Sequence, residues 1–523
     1  MTANNVTELA DPKLEHYDEH TVISTDERLL ALAKASPPFY KNHNLLKLYL
    51  LFIPTCLTLA YSEGFDGSMM NGLQSVPAWD SYFDKPRGAT LGLMGAMPAL
   101  GAVLATPFIS PVGDKFGRRA GIFVGSLIMV IGGVLQSASV HIAMFIIARF
   151  CLGFGMGFVN VYGPVMLGEL SHPNERQIFT SLFQTTWYIG SLAAAWITFG
   201  TYNIDSNWSW RIPSILQILG PAIQIFAVWF LPESPRWLLA TGQREAAKEV
   251  LIKWHANGNR EDEFVQLEYQ EINAVITLEM DTKTTWKTLV ATAGNRRRMA
   301  VLVLLGVASQ WSGNGLISYY LTRVLETVGI QSAREQNIIN GSLQIWVWFT
   351  AIGSAIATLY LPRKTQFRAA IVGTLIVFSA QTLCAGLFNE RGNTAAGNAS
   401  IAMLFLFYVA YNLGFNALLY AYPVELLPYP IRAKGFAVLI FFGKSANFVN
   451  TFVNPIGMAA MGWKYYFVYV AWLVVEVVAI FLLIVETKGP SLEGIAAMFD
   501  GAPVIVSEEL VSSEKESNLQ EKL

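Results

Sequence analysis

The chain has 523 residues, 53% of them hydrophobic and only 14% charged, with a net charge of −2. Soluble domains carry about 25% charged residues, so most of this chain belongs in a bilayer. The near-neutral balance argues against a nucleic-acid surface. Cys56, Cys151 and Cys384 lie in apolar runs without Cys/His metal spacing, so neither a disulfide framework nor a metal site is expected.

Residues 1–46 are polar, with Pro37, Pro38 and no apolar core of the kind a cleaved signal carries. They are expected to form a disordered cytoplasmic tail. A helix needs about 20 apolar residues to cross the hydrocarbon core. Such stretches lie near 47–68, 90–111, 120–139, 142–166, 178–200 and 212–231. Six more lie near 299–326, 338–361, 367–388, 400–427, 435–458 and 463–485. The chain therefore reads as an all-α membrane protein of twelve spans. A six-helix half over 47–231 precedes a linker over 232–298. A second half covers 299–485, and a short tail covers 486–523.

Lys and Arg crowd the linker, as in Arg296-Arg297-Arg298, and the loops at Lys115, Arg118 and Arg119 and at Arg363, Lys364 and Arg368. The positive-inside rule puts that side, and with it both termini, in the cytoplasm. The sequons at Asn207, Asn340 and Asn398 fall on or near the other side. Within the linker, 244–256 and 263–279 show helical spacing and charge, which predicts short amphipathic helices against the cytoplasmic face.

Several charges stand inside the spans. Asp66 lies in the first and Arg149 in the fourth. A charge at bilayer depth costs roughly 2.5–3.5 kcal/mol and persists where it has a partner or does work. Two opposite charges on two spans point to a proton-coupled path. Protonation of Asp66 would release Arg149. Glu63 shares a helix face with Asp66 and reads either as a second proton site or as a pore-mouth acid. Lys444 and Glu476 stand at similar depth in the eleventh and twelfth spans and are expected to form a structural salt bridge.

Motifs recur at matching places in the two halves. Gly168-Glu169-Leu170-Ser171-His172-Pro173-Asn174-Glu175-Arg176 follows the fourth span, and Val424-Glu425-Leu426-Leu427-Pro428-Tyr429-Pro430-Ile431-Arg432 follows the tenth. Pro232-Glu233-Ser234-Pro235-Arg236 follows the sixth, and Glu486-Thr487-Lys488-Gly489 the twelfth. Such repetition indicates duplicated halves. Gly113-Asp114-Lys115-Phe116-Gly117-Arg118-Arg119 joins the second and third spans. Asp114, Arg118, Glu169, Arg176, Glu233, Arg236, Glu425, Arg432 and Glu486 are expected to form a cytoplasmic charge latch that locks the halves when the path faces outward.

These motifs resemble those of the sugar porter family within the major facilitator superfamily, over about residues 45 to 495. The wording from Gly64 to Gln74, with Gln310 to Tyr320, is similar to the fungal lactose permease-like branch. The resemblance implies the major facilitator fold and a plasma-membrane carrier of hexoses or disaccharides, often with protons. It also implies sugar-binding roles for Gln184, Gln310 and Asn447, a coupling role for Asp66, and a fourth-span arginine at Arg149. A sugar needs amides and hydroxyls for its own hydroxyls and aromatic rings for its face. Asn314, Asn416 and Tyr420 are further polar candidates, the last two at i, i+4 on the tenth span. Trp187 and Tyr319 offer stacking surface. A passive sugar or polyol facilitator and a transporter-like sugar sensor are the alternatives. No enzyme constellation, cofactor motif or phosphate loop appears, and a monomer is the default. The family's Asp and Gly are missing from Pro362-Arg363-Lys364-Thr365-Gln366-Phe367-Arg368, so the second-half latch is expected to be weakened or rebuilt.

Overall fold

The computed structural model describes residues 28–488, apart from 30, 282–284 and 417, together with 498 and 499. The described elements are all helical. Ten helical segments are long and apolar enough to cross a membrane. One of them, Lys434–Leu483, holds parts of two helices, Tyr429–Met461 and Tyr466–Leu483, which separate at Gly462. Pro173–Thr201 has 29 residues, about 44 Å of helix, and is richer in Ser, Thr and Gln. It completes a set of twelve spans.

In chain order the first half comprises His43–Leu73, Gly88–Phe116, Arg118–Ser137, Ile142–Leu170, Pro173–Thr201 and Trp208–Phe230. The second comprises Ala293–Thr327, Ala333–Tyr360, Arg363–Arg391, Thr394–Leu426 and the two helices just named. Within halves the first span packs on the fifth, the second and third on the fourth, the seventh on the eleventh and the ninth on the tenth. Between halves the second packs on the eleventh, the fifth on the eighth and the first on the seventh.

Several spans are interrupted. Pro54 lacks an N–H for the ladder, and the first span widens into a π turn over Ile53–Leu57. The freed carbonyls of Leu51 and Ile53 accept from the hydroxyls of Thr55, at 2.5 Å, and Thr58, at 2.6 Å. The sixth span stops at Leu216 and restarts at Leu219, and Pro221, four residues after Gln217, has no N–H to donate to the Gln217 carbonyl. The seventh breaks between Trp311 and Asn314, where Gly313 sits at φ 102°, a left-handed conformation that side chains resist.

The linker carries helices Pro235–Ala240, Arg244–Trp254, Glu263–Asp281 and Thr288–Ala291. Leu238, Leu251, Phe264, Val265 and Ile272 form their small core. Leu29 and Ala33 join it, one helical turn apart, which corrects the disorder expected of 1–46 over its described part. Residues 31–35 are helical, and the Asn42 side chain caps the first span while its amide donates to the His255 carbonyl at 2.9 Å. Residues 1–27 of that tail, and most of the tail after 488, lie outside the described residues.

Away from the linker the halves are zipped together. Gln74 donates to the Tyr319 carbonyl at 2.7 Å, and Thr322 donates to that of Asn71 at 3.2 Å. Asn337 donates to Ser75 at 2.8 Å, Asn71 to Asn340 at 3.3 Å, and Arg323 pairs with Asp80 at 3.4 Å.

Candidate functional site

Glycine contacts set the frame of the site. A Cβ added at Gly64 would lie 1.9 Å from the Trp187 carbonyl oxygen, and one at Gly190 would lie 1.9 Å from that of Tyr61. The first and fifth spans therefore cross backbone to backbone, as small residues allow in membranes. Gly153 meets Pro98 in the same way, drawing the fourth span onto the second. Between these crossings the Arg149 guanidinium donates to the Asp66 carboxylate, and both side chains are buried. Arg149 Nε also donates to the Met94 carbonyl at 3.1 Å, and Gln217 Nε2 donates to Asp66 Oδ1 at 2.6 Å. Four spans thus hold the pair, and charge-assisted hydrogen bonds offset the burial of both ions.

A second polar cluster lies on the seventh and eleventh spans. Asn447 Nδ2 donates to Gln310 Oε1 at 2.7 Å and to the Tyr319 hydroxyl at 3.4 Å. The Asn450 amide donates to the Gln310 carbonyl, and Tyr469 donates to Asn450 Oδ1 at 2.6 Å. One turn on, Ser318 donates to Asn314 Oδ1 at 2.9 Å and meets the Tyr408 hydroxyl at 2.8 Å. Gly67, next to Asp66 in the chain, faces the Tyr319 ring, so the two clusters adjoin.

Other expected residues are placed differently. Gln184 is on the fifth helix, but its side chain lies outside the described residues. Trp187 packs its ring edge-on against Tyr188, with centroids 5.2 Å apart. The tenth span runs through a π turn over Asn412–Asn416 and resumes as an α-helix over Leu418–Leu426, so Asn416 ends the turn and Tyr420 lies on the helix beyond it. Asn416 is half-buried and Tyr420 is exposed.

The expected Lys444–Glu476 bridge is also corrected. Lys444 Nζ reaches across the halves to Glu63 Oε1 at 2.6 Å. Glu476 instead accepts from Ser312 at 2.6 Å and from the Trp472 indole at 2.5 Å. Equal depth on adjacent spans did not reveal which way each side chain points around its helix.

The latch residues form two equivalent clusters, each within one half of this structure. In the first, Arg118 pairs with Glu169 at 3.4 Å, and Glu233 accepts from the backbone N–H groups of Arg118, at 3.1 Å, and Arg119, at 3.2 Å. In the second, Arg363 pairs with Glu425 at 3.0 Å, and Glu486 accepts from the N–H groups of Arg363, at 2.9 Å, and Lys364, at 3.0 Å. Asp114 accepts from Ser110 at 3.0 Å, and Arg432 donates to the Leu427 carbonyl at 3.3 Å. Arg176 lies in the field of Glu268, Glu169 and Arg236.

With this geometry in view, the likeness to known proteins is direct. The family model described as "Sugar (and other) transporter" matches residues 51–499. The chain belongs to this family, the sugar porters of the major facilitator superfamily. It is 28% identical over 461 residues to the MFS-type transporter criB of Aspergillus cristatus, covering 86% of this chain and 94% of that protein. It is 26% identical over 476 residues to high-affinity glucose transporter 1 of Candida albicans, covering 87% and 86% respectively. Among solved structures, the inward-open xylose transporter XylE from E. coli superposes with a TM-score of 0.70 at 18% identity, over 86% of this chain and all of that one. The proton:xylose symporter XylE bound to 6-bromo-6-deoxy-D-glucose gives 0.69 at 18%, over 87% and 100%.

This sugar porter is thus a multi-pass membrane transporter, and its relatives are transporters rather than enzymes. Its sequence hid several neighbours of the two polar clusters. Gln217, Ser318, Tyr408 and Asn450 are ordinary polar residues in apolar runs, and only packing brings them to the clusters. The signal for Gln217 was an amide in a largely apolar sixth span, which it shares with Gln224.

Proposed function

We propose that this sugar porter is a proton-coupled symporter of the plasma membrane, working by alternating access with the linker and both termini in the cytoplasm. The observation that carries this reading is the buried Asp66–Arg149 pair, set one residue from Gly67, which lies against the Tyr319 ring. Asp66 takes the proton and weakens its hold on Arg149, which frees the first and fourth spans to move relative to each other. Gln310, Asn447, Tyr319 and Asn314 hold the sugar, with Gln184, Trp187, Asn416 and Tyr420 as further contacts. The zipped side is then external, and the two latch clusters join across the halves when the path turns outward. With a neutral sugar, one charge moving inward gains about 2.3 kcal/mol per 100 mV, enough for accumulation of roughly tens-fold, whereas with an anionic sugar the proton's charge is cancelled and the pH gradient supplies the drive.

The test is uptake of labelled hexose and disaccharide in cells lacking their own sugar carriers, with internal pH recorded. Uptake that carries protons inward supports symport; uptake without proton entry points to a facilitator. Asp66→Asn is expected to abolish accumulation yet retain exchange of sugar across the membrane. Unchanged accumulation in that variant places the coupling elsewhere.

A further inference from the structure

A second pair of opposite charges inside the bundle, Glu63 with Lys444, differs from the first in being reachable. Its side chains are 30% and 33% exposed, whereas those of Asp66 and Arg149 are 6% and 1% exposed. The pair joins the first span to the eleventh, one from each half, so its open surface faces the space between the halves.

Its surroundings are rich in donors. An ammonium has three N–H donors and no acceptor, and among the described residues Lys444 gives one to Glu63. Lys444 is one helical turn from Asn447, which bonds Gln310 and Tyr319. The Tyr319 hydroxyl accepts from Asn447, so its own proton is free to give. Tyr319 and Tyr420 both lie within electrostatic reach of Lys444. A neutral sugar finds its partners in amides and hydroxyls and needs no fixed charge. An ammonium at bilayer depth still costs roughly 2.5–3.5 kcal/mol.

We infer that the substrate bears a carboxylate. It is a sugar acid, uronic or aldonic, whose hydroxyls meet the Gln310–Asn447 amides while its carboxylate replaces Glu63 on Lys444. In the empty carrier Glu63 holds the ammonium in position and balances its charge. The inference rests on the sugar-carrier reading and specifies its substrate class.

The experiment measures uptake of labelled D-glucuronate and labelled D-glucose by the full chain in cells lacking sugar carriers, at an external pH where the acid is ionised. Glucuronate is expected to enter saturably. Galacturonate is expected to compete with it, and glucuronate methyl ester, which lacks the charge, is not. Lys444→Gln should lower the glucuronate-to-glucose uptake ratio about tenfold, the scale of one charged hydrogen bond. Glu63→Gln removes the internal competitor and should raise that ratio, which keeps the test decisive if Lys444→Gln fails to reach the membrane. Glucose uptake without entry of or competition by the acid, equal competition by the ester, or an unchanged ratio in either variant overturns the inference. No uptake of either sugar overturns the carrier reading itself.

Discussion

Glu233 and Glu486 hold equivalent positions in the two halves. Each carboxylate accepts from two successive backbone N–H groups, Glu233 at the start of the third span and Glu486 at the start of the ninth. The first turn of a helix has N–H groups with no internal partner and a positive dipole end, so an acid there acts as a cap supplied from another span. Each cap also ties the end of one six-helix half back to its middle. Glu233→Ala and Glu486→Ala should each lower stability by about 1 kcal/mol, the usual loss for a helix cap. The two losses should add, because the sites are in different halves. Thermal unfolding of the purified protein in detergent measures both, and an unchanged midpoint in either variant rejects the capping role.

The crossing of the first and fifth spans makes a sharper prediction. Gly190→Ala places a methyl group 1.9 Å from the Tyr61 carbonyl oxygen, and backbone on both sides leaves nothing flexible to yield. Overpacking of this kind costs about 1–3 kcal/mol. Gly200→Ala, in the same helix, meets nothing within 4 Å. It should be neutral or more stable by up to about 1 kcal/mol, since alanine favours helix over glycine. Unfolding midpoints that fail to separate the two variants reject the close crossing.

The linker's anchorage should depend on pH at both ends of the scale. His255 Nδ1 lies 2.7 Å from Glu268 Oε2, and its other ring nitrogen lies 3.2 Å from the Leu170 carbonyl. Burial alone pushes the His255 pKa down, but the charge and hydrogen bond of Glu268 outweigh it and hold the value above 6.5. Burial alone pushes Glu268 up, but His255, His172 and Arg176 outweigh it and hold its carboxyl below 4.5. A raised histidine stabilises fully below its unfolded value and loses that contribution as pH rises through its folded value. A lowered carboxyl stabilises above its unfolded value and loses that contribution as pH falls through its folded value. Hydrogen-exchange protection in helix Glu263–Asp281, measured relative to the intrinsic exchange rate at each pH, should therefore be greatest between these limits and fall on both sides. In His255→Gln the alkaline loss of protection should vanish, and its persistence would place the titrating group elsewhere.

Much of the fold was legible because apolar run length and charge exclusion are local properties. The membrane class, the paired halves and the twelve spans all followed from them. The Asp66–Arg149 pair was legible from two opposite charges on two apolar spans together with the family resemblance, whereas opposite charge alone misassigned Lys444 and Glu476. Span ends slipped where helices continue past the apolar run, as at Pro173, where the fifth span starts within the charged motif. The second-half cluster was harder to read. Its loop has lost the family's Asp and Gly, yet Arg363 takes the place of Arg118 because backbone N–H groups at a helix start attract an acid whatever the loop sequence.

The amino-acid order alone determined that this chain lies in a bilayer as two repeated bundles, and which charges had to find partners there. The partner of Lys444 was settled only by the folded bundle, because rotation about a helix axis depends on packing and not on depth. The same holds for Gln217 beside Asp66 and for the adjoining of Tyr319 and Gly67. These contacts arise where distant helices cross, at angles and registers that glycine positions permit and hydropathy does not record.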